Sequence, residues 1–212
     1  MLGDRPIGEI KRSEVIRLLD KIEDRSGAIT ADRVLGIMRT IFNWHAVRSD
    51  DFCSPIVRGM ARASEQARDR ILNDDELCAI WKTAEEGRDP FDFLVKFLLL
   101  STARRSEATA MTFREIDGSV WMLPATRNKT GVELVRPLSG AAQKLFAEIP
   151  QIADSPFVFS ADGKHALGGF SRRKAAFDNR CGVSGWRLHD LRRTARSLLS
   201  RAGVSVDHAE HC

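Results

Sequence analysis

Seven of the eight residues from Phe93 to Leu100 are apolar, and Lys96 is the one interruption. A helix that is apolar on every side has no face for water, so this segment belongs in the middle of a folded domain. Pro90 stands just ahead of it, where its fixed φ suits the first turn of a helix. Membrane spans need about 20 apolar residues, so the segment cannot cross a bilayer and no membrane partner is expected. Other elements must wrap around it.

Those elements are legible on either side. Residues 11–24 read as a helix with Val15, Leu18, Leu19 and Ile22 on one face. Gly27 breaks it. A second helix follows Thr30 as N-cap, with Val34, Ile37, Met38, Ile41 and Trp44 at helical spacing, expected to face a core. Asn73-Asp74-Asp75-Glu76 is a capping-box start for a third helix. A short helix is expected over 105–111. The period then changes: Val120–Leu123 and Leu134–Leu138 read as strands joined through Arg127–Gly131, with Phe157–Phe159 as a third strand. Residues 141–148, 170–180 and 188–201 read as helices, with Gly203 ending the last. The expected fold is mainly α with a small antiparallel sheet. Residues 1–57 form a helical domain, 58–70 a linker and 71–212 a larger domain.

The net charge of +4 is unevenly placed. Residues 126–212 hold 14 basic against 8 acidic side chains, and residues 170–201 hold 9 against 2. Such a face suits a polyanionic partner, or is a solvated helix surface. Cys53, Cys78, Cys181 and Cys212 are widely and irregularly spaced, so they read as reduced packing residues rather than metal ligands or disulfides. His208, His211 and Cys212 read as ordinary helix residues. His45 and Trp186 read as packing residues, and His165 as an exposed loop residue. No basic-then-apolar leader opens the chain, so a cytoplasmic protein is expected.

Three fragments carry chemistry: Ser101-Thr102-Ala103-Arg104-Arg105-Ser106-Glu107, Arg127-Asn128-Lys129-Thr130-Gly131 and Arg187-Leu188-His189-Asp190-Leu191-Arg192-Arg193. Two separated arginines, a lysine between strands and a His-x-x-Arg helix make a set of cationic donors suited to a phosphate. Such donors stabilise the extra negative charge of a pentavalent phosphorane. The chain contains no tyrosine.

The first fragment resembles the T-G-x-R-x-x-E box of the tyrosine recombinases, the phage integrase family, with Thr102 where the family usually has glycine. Lys129 is similar to the family's β-hairpin lysine, and His189-Asp190-Leu191-Arg192 to its H-x-x-R box. Residues 71–212 resemble the catalytic domain, and residues 1–70 a shortened core-binding domain of prophage and genomic-island integrases. The resemblance implies that Arg104 and Arg192 clamp the scissile phosphate, supported by Glu107. It implies that Lys129 protonates the leaving 5′ oxygen and that His189 donates to the phosphate or shuttles a proton. No metal or cofactor is implied, because guanidinium groups supply the charge. The implied partner is double-stranded DNA in a bacterial cytoplasm, with Arg58, Arg62, Arg172, Arg173 and Arg193 as further contacts. The full-length family member assembles into a tetrameric synapse. The nucleophilic tyrosine and the Leu-Gly-His element are not in the chain, so it is expected to be truncated at both ends and inactive in cleavage. The resulting expectation is the core of a site-specific DNA recombinase. The alternatives are a non-catalytic DNA-binding remnant of a prophage integrase, and a type IB topoisomerase.

Overall fold

A computed structural model describes residues 5–64 and 68–205. His208, His211 and Cys212 lie outside the described residues. The chain divides into two compact units, Met1–Arg68 and Asp69–Cys212.

The first unit is built on α1 (Arg12–Ser26) and α2 (Ala28–Ala46), preceded by a 3-10 turn at Ile7–Glu9. One residue, Gly27, serves both helix ends at φ +84, a backbone angle that costs a side-chain-bearing residue dearly. Thr30 is therefore not the cap. It lies inside α2 and its hydroxyl donates to the Ser26 carbonyl. Val15, Leu19, Ala31, Leu35 and Phe42 form the buried core, with Phe52, Ile56 and Met60 packed against it from the following segment. His45 stacks edge-on against Phe52 with ring centroids 4.6 Å apart. The expected core face of α2 is only partly correct. Val34 and Met38 pack against the core, but Ile37, Ile41 and Trp44 are more than half exposed, and the helix instead buries Leu35 and Phe42, which that face left out. Helical periodicity marks a face, yet a face is buried only where another element covers it.

The expected linker begins inside this unit. Asp32 accepts the backbone N–H groups of Arg62 (2.8 Å) and Ala63 (2.8 Å), which hold its carboxyl below the usual range.

The second unit forms around α4 (Pro90–Ser101), as its composition demands. Asp89 caps it through the N–H of Phe91, and Phe91, Phe93, Leu94, Val95, Phe97 and Leu98 are all buried. Around it lie α3 (Asp74–Glu86), α5 (Arg105–Thr109), α6 (Gly140–Glu148), α7 (Phe170–Cys181) and α8 (Leu188–Arg201). Lys96 is buried too, but its chain carries the ammonium to Glu148, 3.0 Å away, at the surface. Phe97 packs its ring against Trp121, Phe146 and Phe159 at 5.6, 5.3 and 5.7 Å.

The sheet has three antiparallel strands in the order β1 (Ile116–Asp117), β2 (Val120–Leu123) and β3 (Leu134–Pro137), with Trp121 opposite Arg136. The hairpin from β2 to β3 was expected. The third strand was not: it precedes β2, and Phe157 makes only an isolated bridge to Thr112. Helix α8 closes with the N–H groups of Gly203 and Val204 on the carbonyls of Ser200 and Leu199, the pattern that glycine at φ +83 permits. Cys53 and Cys78 are exposed rather than packed, and Cys181 is half-buried; all three are free thiols. No helix among the described residues is long and apolar enough to cross a membrane.

Candidate active site

The end of α4 sets the geometry. Thr102 turns the chain through the left-handed region at φ +53, and Ala103 and Arg104 follow into α5. The family resemblance has glycine at the strained position. Threonine is tolerated here because its neighbours hold the turn: the Ser101 hydroxyl donates to the Phe97 carbonyl (2.7 Å) and accepts the N–H of Ala103 (3.2 Å).

Glu107 lies three residues beyond Arg104, on α5, and its carboxylate is fully buried. One oxygen accepts the Arg104 guanidinium at 2.6 Å and the other its backbone N–H at 2.9 Å. This double grip fixes Arg104, whose side chain stays 35% exposed and free to meet a ligand. Arg192, three residues after His189 on α8, donates to the Thr102 carbonyl. The Arg104 turn and the His-x-x-Arg helix, 90 residues apart in sequence, thus meet at one backbone group.

The electrostatics of the site follow from this convergence. Burial holds the Arg192 guanidinium down to about 10, with the positive charges of Arg104 and Arg136 adding to it. It stays protonated at neutral pH. His189 is held below the ordinary imidazole range by burial, then by Arg193 and Arg192, with a smaller contribution from Arg104. Cations crowd one another where an anion would relieve them.

The structure therefore brings Arg104, Glu107, His189 and Arg192 together. Lys129 is placed differently. It is exposed in the turn between β2 and β3. Arg127 ties the start of that turn down, donating to the Glu107 carbonyl at 3.1 Å and pairing with Glu115. A connection thus runs from Glu107 to the segment carrying Lys129.

The five arginines expected to contact DNA divide in two. Arg58 and Arg172 are exposed. Arg62 pairs with Asp20 and Glu23, Arg173 with Asp89 at 2.6 Å, and Arg193 with Asp190 at 3.0 Å.

Two groups of residues escaped the sequence reading. A cleft of about 490 Å³ beside Arg104 and His189 is also lined by Arg105, Arg187, Lys174 and Phe170, with no acidic side chain in its wall. The second is Arg136 on β3, 4% exposed, with its guanidinium 5.4 Å from the Trp121 ring and 3.7 Å from Glu107. The signal was available. The period-2 pattern of β3 puts Arg136 on the inward set with Leu134 and Leu138, and an inward arginine needs a reason.

Residues 1–51 match the family model described as phage integrase central domain. No curated protein matches the chain significantly. Among solved structures, a lambda integrase tetramer bound to a Holliday junction is 18% identical, with a TM-score of 0.75. The match covers 98% of this chain and 65% of that one, so this chain spans about two thirds of that integrase's length. A lambda integrase (75-356) dimer bound to a COC′ core site gives 18% identity and a TM-score of 0.75 over 98% and 77%. The Tn1549 transposon integrase (aa 82-397) in complex with circular intermediate DNA gives 15% and 0.68 over 99% and 79%. This chain carries a phage integrase central domain match at its amino-terminal end and, over nearly its whole length, the fold of the lambda and Tn1549 integrases.

Proposed function

We propose that this chain is the DNA-binding and phosphate-positioning core of a site-specific recombinase that acts in DNA integration. The observation that carries this reading is the meeting of Arg104 and Arg192 at the α4–α5 turn, with His189 on the same helix as Arg192 and Glu107 behind Arg104. Two planar guanidinium forks can hold the non-bridging oxygens of one phosphodiester bidentately. His189 supplies a donor beside them, and Lys129 on its tethered turn is the candidate acid for the 5′ oxygen. The DNA-bound state of the lambda and Tn1549 integrases supports duplex DNA as the ligand. The Holliday-junction tetramer of lambda integrase supports a four-subunit synapse for a complete protein.

Phosphate contacts release counterions, so affinity for a random-sequence duplex should fall steeply between 50 and 200 mM salt, with a log–log slope reduced by ~0.9 for each contact removed. Arg172→Ala and Arg187→Ala, which remove exposed cations, should each lower that slope by about one. Arg173→Ala should lower it less, because that guanidinium is committed to Asp89. Fluorescence anisotropy across a salt series reads this directly. A flat wild-type series would reject DNA binding.

The chain has no phenol to attack phosphorus. Incubated with a nicked suicide duplex, it should yield no denaturant-stable protein–DNA band. A chain extended by a segment bearing Leu-Gly-His and tyrosine should yield one. Failure of the extended chain to cleave, with duplex binding intact, would favour the second reading, a DNA-binding module without catalysis.

A further inference from the structure

We propose that Arg136 is a positioning residue for the phosphate site, holding the α4–α5 turn and Glu107 so that Arg104 and Arg192 face a phosphate together. This rests on the recombinase reading above. Arg136 lies on β3, opposite Trp121, and is buried beneath the site rather than open to a ligand.

Its contacts define the role. One nitrogen donates to the Ser101 carbonyl at 3.0 Å, and the other lies 3.7 Å from the Glu107 carboxylate. Arg192 donates to the next carbonyl, that of Thr102. Two successive carbonyls of one turn are thus each held by a guanidinium, one from the sheet and one from α8. The turn needs such anchoring because Thr102, buried and β-branched, sits at φ +53. Two residues after it comes Arg104, held by the same Glu107 that faces Arg136.

Packing alone does not call for an arginine here. An inward position opposite Trp121 would be filled more cheaply by leucine or valine, since burying a charge is costly. The cation gives two things an apolar side chain cannot. It supplies donors to the turn, and it adds positive charge next to Arg192, which feels it. Arg104 and Arg136 face one buried carboxylate and Arg192 lies within its field, leaving the cluster in want of an anion. A phosphodiester carries one negative charge and its phosphorane more, which matches that want.

The test uses the chain as it is, with inorganic phosphate and a 20-base-pair duplex as probes and the guanidinium N–H resonances of Arg104 and Arg192 as readout. Arg136→Met keeps the buried shape and removes the charge. It should weaken phosphate binding about tenfold or more, whereas Arg136→Lys, which keeps the charge but loses the fork, should weaken it about threefold. Adding Thr102→Gly to Arg136→Met should recover part of the loss, because glycine adopts the left-handed turn without being held. General loosening of the core would not be rescued in that way.

If wild type and Arg136→Met bind phosphate equally, the role assigned to Arg136 is wrong and the recombinase reading stands. If Thr102→Gly recovers nothing, the turn-holding mechanism is wrong. If Arg104 and Arg192 respond to neither probe in wild type, the recombinase reading itself fails. Should Arg136→Met not fold, Arg136→Lys decides at an unchanged melting temperature: equal affinity overturns the role, and threefold weakening supports it.

Discussion

Arg104→Ala and Arg192→Ala should each lower strand cleavage by about 10²- to 10³-fold in a chain extended with the tyrosine-bearing segment, the cost typical of deleting one preorganised donor to a developing oxyanion. Both side chains reach the same turn, Arg104 through Glu107 and Arg192 through the Thr102 carbonyl. Their effects should be less than additive, since losing one leaves the other without a correctly placed phosphate. Duplex affinity should fall less than tenfold, because many other cations bind the backbone. Single-turnover cleavage beside anisotropy separates the two quantities. Lys129→Ala should be recovered by a duplex with a 5′-thiol leaving group, which needs little protonation. A cleavage rate that survives either arginine substitution would remove these residues from the chemistry.

Glu107→Ala should have the largest effect on the fold. The carboxylate is fully buried and faces Arg104 at 2.6 Å and Arg136 at 3.7 Å. Deleting one side of a buried charge network costs about 3–5 kcal/mol. For a unit of this size that corresponds to a drop of roughly 10 °C in melting temperature. Glu107→Gln keeps the shape and an acceptor, and should lose less. Calorimetry of the two variants checks the order, and equal melting temperatures for Glu107→Ala and wild type would mean that the carboxylate is not the anchor described.

How much of this could be read from residues alone depended on whether local chemistry or tertiary cover decided the outcome. Helix α4 was legible because a run apolar but for Lys96 admits one location, and α3 because Asn73 and Glu76 cap its end reciprocally. Arg104, Glu107, His189 and Arg192 were legible as spaced fragments, and the fold brings them together. What was not legible needed partners distant in sequence. Ile37, Ile41 and Trp44 have the spacing of a core face, but each stays more than half exposed in the first unit, and Trp44 is met by the Arg48 guanidinium rather than by an apolar element. The two-residue strand β1 is too short to show alternation. Arg136 lay in plain view, but its meaning depends on Trp121, Ser101 and Glu107, which only the sheet register and the α4–α5 turn bring to it.

If Arg104, Arg192 and His189 form one phosphate-binding site, titration of His189 by NMR should respond to a short duplex. Free protein should show a midpoint below the ordinary imidazole value of about 6.5, because burial and the neighbouring Arg193 and Arg192 disfavour the cation. A phosphodiester seated between Arg104 and Arg192 favours the protonated ring, so the duplex should raise the midpoint, and Arg192→Ala should abolish the duplex-dependent rise. A midpoint that does not move when duplex DNA is bound would place the phosphate elsewhere and contradict the account.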